Sequence, residues 1–254
     1  MGENTMLKIN GSEVTREFKL NEKVVYEMNG LRIVDLTKGL DPRSESRRCH
    51  VHRYQTGGPI PDWHSELDLT THLGTHAECP FHHYDLDGLS VGEMDLDKFI
   101  GRGVYIDFGD SIPENGHITA ADLDKFAGDL VKEGDIVIID SAYKIPPFTP
   151  LTNTEDDKRL FVNKETAEWF RAKGVKGVGF GDGVSIENCN EDVAPFHDVI
   201  MESGYDGYFI EVLKNLECLN SKVFFFSCVP LPLLYADSMP VRAYAIEGLP
   251  GFTE

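Results

Sequence analysis

No long apolar run interrupts this sequence. Its longest apolar stretches, such as Val223–Phe226 and Val229–Tyr235, are short or broken by proline, far below the roughly 18 residues that a spanning helix needs. Basic residues are scarce as well. Lys and Arg number 24 against 43 Asp and Glu, a formal net charge of −19, and a surface of that sign repels phosphate backbones. Nucleic acid is therefore not an expected partner. Cysteine is sparse and unpatterned: Cys49, Cys79, Cys189, Cys218 and Cys228 are odd in number, widely spaced and without a CxxC. Reduced thiols fit that pattern better than a disulfide framework. The opening MGENTMLKIN lacks a basic and then apolar signal, and Met6 stands where a myristoylation motif needs Ser or Thr. The expectation is a cytoplasmic protein without membrane attachment.

What is present is enough apolar material, 41% over 254 residues, for one substantial core. Residues 1–30 are polar and weakly patterned and read as a lead-in. Residues 31–254 read as one α/β domain. Strands are expected over Leu31–Leu36, Glu66–His72, Gly101–Phe108, Asp135–Asp140, Val175–Phe180, Tyr208–Leu213, Val223–Ser227 and Arg242–Ile246. DIVIID is nearly all apolar, as for a strand covered on both faces. Helices are expected over His117–Gly128 with Thr119 as cap, over Asn163–Lys173 with Asn163 as cap and Gly174 as stop, and over Ala194–Ser203. Asp41–Pro61 and Tyr143–Leu160 read as long loops, suited to lids or contacts between chains. The irregular order of strands and helices argues for a mixed sheet flanked by helices rather than a doubly wound one.

Chemistry concentrates in HLGTHAECPFHH, His72–His83, which holds four of the nine histidines. His72, Gly74, His76, Glu78, Pro80 and His82 share one parity. On a straight strand His72 and His76 would lie roughly 13 Å apart at Cα, too far to share a metal held at about 2.0–2.1 Å. A bend is needed, and Gly74 permits one. A helix is disfavoured by Gly74 and by Pro80. The expected form is a strand end followed by a tight turn, with His72, His76 and Glu78 converging and Pro80 redirecting the chain to bring in His82. Cys79 and His83, of the other parity, read as structural. A His-rich surface loop is the competing explanation. The smaller cluster Cys49, His50 and His52 has no nearby carboxylate and is a weaker candidate. Trp63 and Phe81 are candidates for substrate contact, with Tyr84 beside them.

HxGTHxExPxH resembles the HxGTHxDxPxH signature of the cyclase family of metal-dependent hydrolases, which includes bacterial kynurenine formamidases and isatin hydrolases. The resemblance continues through Val34–Thr37, Asp87–Gly101, His197, Ile210–Leu216 and Pro240–Ala243. It implies a swivelling β/β/α-like fold and one or two divalent cations, Zn²⁺ or Mn²⁺, per chain. It further implies His72, His76 and Glu78 as ligands, His197 and Glu211 completing the site, and His82 as catalytic acid/base. The spacing to His197 is longer than in kynurenine formamidases. Glu78 replaces the usual Asp and bears on how one or two metals are bridged. For Glu211 the alternative is an ordinary polar residue on an apolar strand, but a lone carboxylate is costly to bury there, which favours a cation partner. Asp182 and Glu187 read as turn residues, with lining of the pocket as the alternative, and Arg242 as an ion-pair partner. The implied activity is hydrolysis of a C–N amide bond in a small N-formyl arylamine, cyclic imide or lactam, by a homodimer or homotetramer. The alternatives are a lactone hydrolase or cyclase of the same fold, and a non-catalytic metal- or ligand-binding protein.

Overall fold

The computed structural model describes residues 18–187 and 191–253, with the backbone of two further short strands, Lys8–Ile9 and Ser12–Glu13. Cys189 lies outside the described residues. A ten-stranded mixed sheet forms the frame. Its strands are β1 (Val25–Met28), β2 (Leu31–Asp35), β3 (His76–Glu78), β4 (Ile100–Asp107) and β5 (Ile136–Asp140), then β6 (Gly177–Phe180), β7 (Tyr208–Glu211), β8 (Val223–Ser227), β9 (Ser238–Pro240) and β10 (Tyr244–Glu247). They lie side by side in the order β9-β3-β7-β6-β5-β4-β8-β10-β2-β1. The inner run β4-β5-β6-β7 is parallel, and every other neighbour pair is antiparallel.

Three helices serve as crossovers of the parallel run: α2 (Ala120–Ala127), α3 (Lys164–Ala172) and α4 (Val193–Ile200). Right-handed crossovers that always step the same way put all helices on one face. The core divides accordingly. Val137 and Ile139 of β5 join the helix-side cluster, while Ile136 and Ile138 join the cluster on the opposite face. All are fully buried, as the continuous apolar run requires. Both expected caps form: Thr119 and Asp122, and Asn163 and Thr166, each make a reciprocal capping box. The last helix ends at Ile200, before Ser203.

Three expectations change. The chain enters the sheet before residue 31, because Tyr26 and its neighbours pair with β2 at the edge. The loop over Asp41–Pro61 contains a strand, Cys49–Gln55, paired with Trp63–Leu69 in a hairpin. Thus the strand expected to run from Glu66 into the motif belongs to that hairpin and stops at Leu69. Its partner was obscured because charged and aromatic residues occupy both faces of an exposed ribbon.

Candidate metal centre

The motif bends before its strand, the reverse of the expected order. Gly74 holds φ +59°, and a Cβ there would meet Leu40 at 2.6 Å. The chain then enters β3 at His76, where side chains of i and i+2 share a face. His76 lies opposite Glu211 on β7, and Glu78 opposite Phe209, with Ala77 and Ile210 turned to the other core. Register alone thus gathers His76, Glu78 and Glu211 on the helix side. Glu211 closes a parallel strand at its carboxyl end, the usual place for ligands in such sheets. The next residue, Val212, takes φ +59°, strained for a β-branched side chain, and its carbonyl accepts a 2.7 Å bond from Thr75 Oγ1.

α4 crosses the same face and supplies His197. Its Nδ1 donates to Val193 O at 2.7 Å, leaving Nε2 3.2 Å from Glu78 Oε1. After β3, Pro80 starts the one-turn helix α1 (Phe81–Tyr84), which carries His82 back over the site. Pro80 therefore redirects the chain, as the sequence implied.

Glu78 is the hub. Its Oε2 stands 3.1 Å from His72 Nδ1 and 4.0 Å from His76 Nε2. Its Oε1 faces His197, and His82 Nε2 at 3.8 Å. The two oxygens thus sort the imidazoles into two sets. His72, His76, Glu78, His82, His197 and Glu211 all come together here. Asp237, immediately before β9, joins them: its Oδ2 lies 2.7 Å from His72 Nε2 and 3.1 Å from His82 Nδ1. No spacing rule links Asp237 to a motif so distant in sequence; only the pairing of β9 with β3 does so.

Burial sets the electrostatics. Desolvation raises Glu78 in isolation, but bonds with His197 and His72 hold its carboxyl well below the usual range. Burial also opposes protonation of His72, yet its bonds to Asp237 and Glu78 carry it up to about 9. Asp237 is held far below the ordinary carboxylate value: burial opposes this, and the two imidazoles prevail. Burial drives His76 down to about 4. Glu211 is raised well above its usual value, first by burial and then by the Glu78 charge.

His76 tests whether a cation fits. Its Nδ1 donates to Gly74 O at 2.8 Å, so Nε2 presents a lone pair. That atom is buried without a hydrogen-bond partner and faces Glu211 Oε2 at 3.4 Å. A lone pair aimed at carboxylates is an arrangement that a divalent cation resolves. Histidine nitrogens with carboxylate oxygens form a donor set suited to a divalent cation.

Other candidates fall outside the cluster. Trp63 is 44% exposed on the hairpin, with Arg53 stacked over it. Neither it nor Phe81 lines the cavities beside His72 and Glu211. Phe148 lines both, with the Arg47 guanidinium 3.7 Å from its ring. The cavity at His72 measures about 70 Å³. Cys79 is buried in the core, and His83 bonds Asp198 at 2.6 Å. His50 and His52 are exposed on the hairpin. Arg242 pairs with Asp35, and Asp182 with Lys214. Asp182 and Glu187 both line the cavity at Glu211, the alternative to a turn role, and buried Glu187 accepts a 2.9 Å bond from Arg159.

The Cyclase family model ("Putative cyclase") matches residues 34–188. This chain belongs to the cyclase family. A kynurenine formamidase of Delftia acidovorans is 30% identical over 183 residues, covering 70% of this chain and 78% of the relative. Another, from Erythrobacter litoralis, is 27% identical, covering 77% and 81%. Isatin hydrolase A from Ralstonia solanacearum superposes with a TM-score of 0.66 at 22% identity, over 85% of this chain and 92% of that one. The last likeness establishes the fold.

Proposed function

We propose that this chain is a metal-dependent amidohydrolase that opens the C–N amide bond of a small N-formyl arylamine, cyclic imide or lactam. The observation that carries the reading is His76 Nε2, a buried lone pair facing two carboxylates. His72, His76, Glu78, His197 and Glu211 would hold one or two cations, Zn²⁺ or Mn²⁺, with Glu78 serving both sets of imidazoles. A bound divalent cation supplies Lewis acidity, which acidifies water and polarises a carbonyl. His82 faces Glu78 through Nε2 and has Asp237 behind Nδ1. It takes the proton of the attacking water and delivers it to the departing nitrogen. Phe148 and the Arg47 stacked on it wall the approach to His72 and fit a planar ring. The formamidase and isatin hydrolase relatives support the substrate class.

The working form is a cytoplasmic homodimer or homotetramer, without nucleic-acid or membrane partners. The hairpin over Cys49–Leu69 supports the oligomer: its strands are exposed nearly throughout, including Val51 and Leu67. A two-stranded ribbon is marginal alone in water and gains by packing on a second copy. Unpaired Cys49, Cys79, Cys218 and Cys228 suit a reducing compartment.

The test is product analysis of a panel containing N-formylkynurenine, isatin, lactones and cyclic imides, using protein of measured metal content. Ring opening or deformylation of an amide substrate is expected. A metal-replete sample that turns over lactones alone, or nothing, contradicts the reading.

A further inference from the structure

We infer that Asp237 is a positioning residue that fixes the tautomers of both His72 and His82, aiming one lone pair of each ring at the Glu78 hub. The part of this inference that concerns turnover rests on the hydrolase reading above.

Each of the two imidazoles lies between two carboxylates. His72 turns Nδ1 to Glu78 at 3.1 Å and Nε2 to Asp237 at 2.7 Å. His82 turns Nε2 to Glu78 at 3.8 Å and Nδ1 to Asp237 at 3.1 Å. An ionised carboxylate only accepts hydrogen bonds. Both carboxylates are acceptors, but Asp237 is the nearer one to each ring, so in the neutral ring the nitrogen facing Asp237 carries the hydrogen and the nitrogen facing Glu78 carries the lone pair. For His72 that is the lone pair a cation would need. For His82 it is the one that accepts a proton.

The orientation of Asp237 is itself fixed. Its Oδ1 accepts from Thr71 Oγ1 at 2.9 Å and from the Ser238 amide at 3.0 Å, so only Oδ2 is left for the two rings. Its backbone carbonyl accepts from Cys79 N at 2.9 Å. The carboxylate is thereby tied to both arms of the motif, Thr71–His72 and Cys79–His82. A carboxylate behind a ligating imidazole holds its ring and raises its basicity. Behind a proton-carrying imidazole it holds the tautomer and stabilises the charged form. Asp237 does both with one oxygen, so ligand and proton carrier are aligned together.

The same bonds predict what Asp237→Asn does. Thr71 and Ser238 are donors, so the amide oxygen stays on them and the NH₂ group takes the place of Oδ2. A donor then faces both rings, and both tautomers must invert. Nitrogen-15 imidazole NMR on the metal-free protein, followed to alkaline pH, reads this directly. His82 is expected protonated on Nδ1 in the wild type and on Nε2 in Asp237→Asn. Elemental analysis is expected to find metal still bound, with affinity lowered roughly 10- to 100-fold. At saturating metal, kcat is expected to fall by roughly 10³-fold or more, with KM within about threefold.

Unchanged tautomers in the variant overturn the inference, as does a kcat close to that of the wild type. Complete loss of metal would make Asp237 a ligand and overturn it too. If the variant does not fold, the wild-type spectrum decides: His82 protonated on Nε2 contradicts the inference. The NMR arm needs no substrate, so it stands even where the amide panel gives no turnover.

Discussion

Replacing Glu211 with glutamine should invert the stability ranking of the protein with and without metal. Glu211 is 6% exposed, and burial followed by the Glu78 charge lifts its carboxyl well above the ordinary 4.5. Without a cation, the folded chain keeps a proton there that the unfolded chain releases as pH rises through 4.5. The folded state then binds more protons. Stability falls with pH from that value up to the folded pKa, at about 1.4 kcal/mol per pH unit. Glutamine does not titrate and escapes the penalty. As pH rises above the ordinary value, the metal-free variant should gain on the wild type by up to about 1.4 kcal/mol per pH unit, or roughly 3–6 °C in Tm per unit for a chain of this size. With metal the order reverses. A cation at about 1,000 times its Kd stabilises the wild type by about 4 kcal/mol, and the variant, short of one carboxylate, gains much less. Thermal unfolding followed by circular dichroism, in chelator and in excess Zn²⁺ or Mn²⁺ across this pH range, measures both effects. A Tm difference in chelator that does not vary with pH would refute the reasoning, as would equal stabilisation of both proteins by metal.

Gly74→Ala adds a Cβ at φ +59° and 2.6 Å from Leu40; it should cost about 1–3 kcal/mol in denaturant unfolding and weaken metal binding through the displaced His72. Arg159→Met leaves Asp157 and Glu187 buried without their shared cation, a loss of about 3–5 kcal/mol in urea titration. Phe148→Ala removes a wall common to both cavities and should raise KM more than it lowers kcat. Trp63→Ala, on the exposed hairpin, should leave both constants within about twofold. The reverse pattern for these aromatic residues would move the substrate approach to the hairpin.

Much of the site was legible because it is local. Histidines and one carboxylate at a fixed parity, interrupted by a glycine, announced a bend, and Gly74 supplies it. The helix caps at Thr119 and Asn163 were readable for the same reason, since each is decided within four residues. Glu211 and His197 were reached through the family resemblance, and the cost of burying a lone carboxylate supported the first of them. What failed depended on distant pairing. The hairpin over Cys49–Leu69 has no apolar alternation because it does not face the core, and β3 is too short to show a period. Asp237 could be found only through the register of β9 on β3. Phe148 escaped notice because its place beside the site depends on the path of a proline-rich loop.

The most direct measurement is the rate of N-formylkynurenine or isatin hydrolysis as metal-free protein is titrated with Zn²⁺ or Mn²⁺. The account predicts no turnover without cation, a rise that saturates at one or two equivalents per chain, and no rise in His76→Ala. Hydrolysis by the metal-free protein, or by His76→Ala at the wild-type rate, would contradict it.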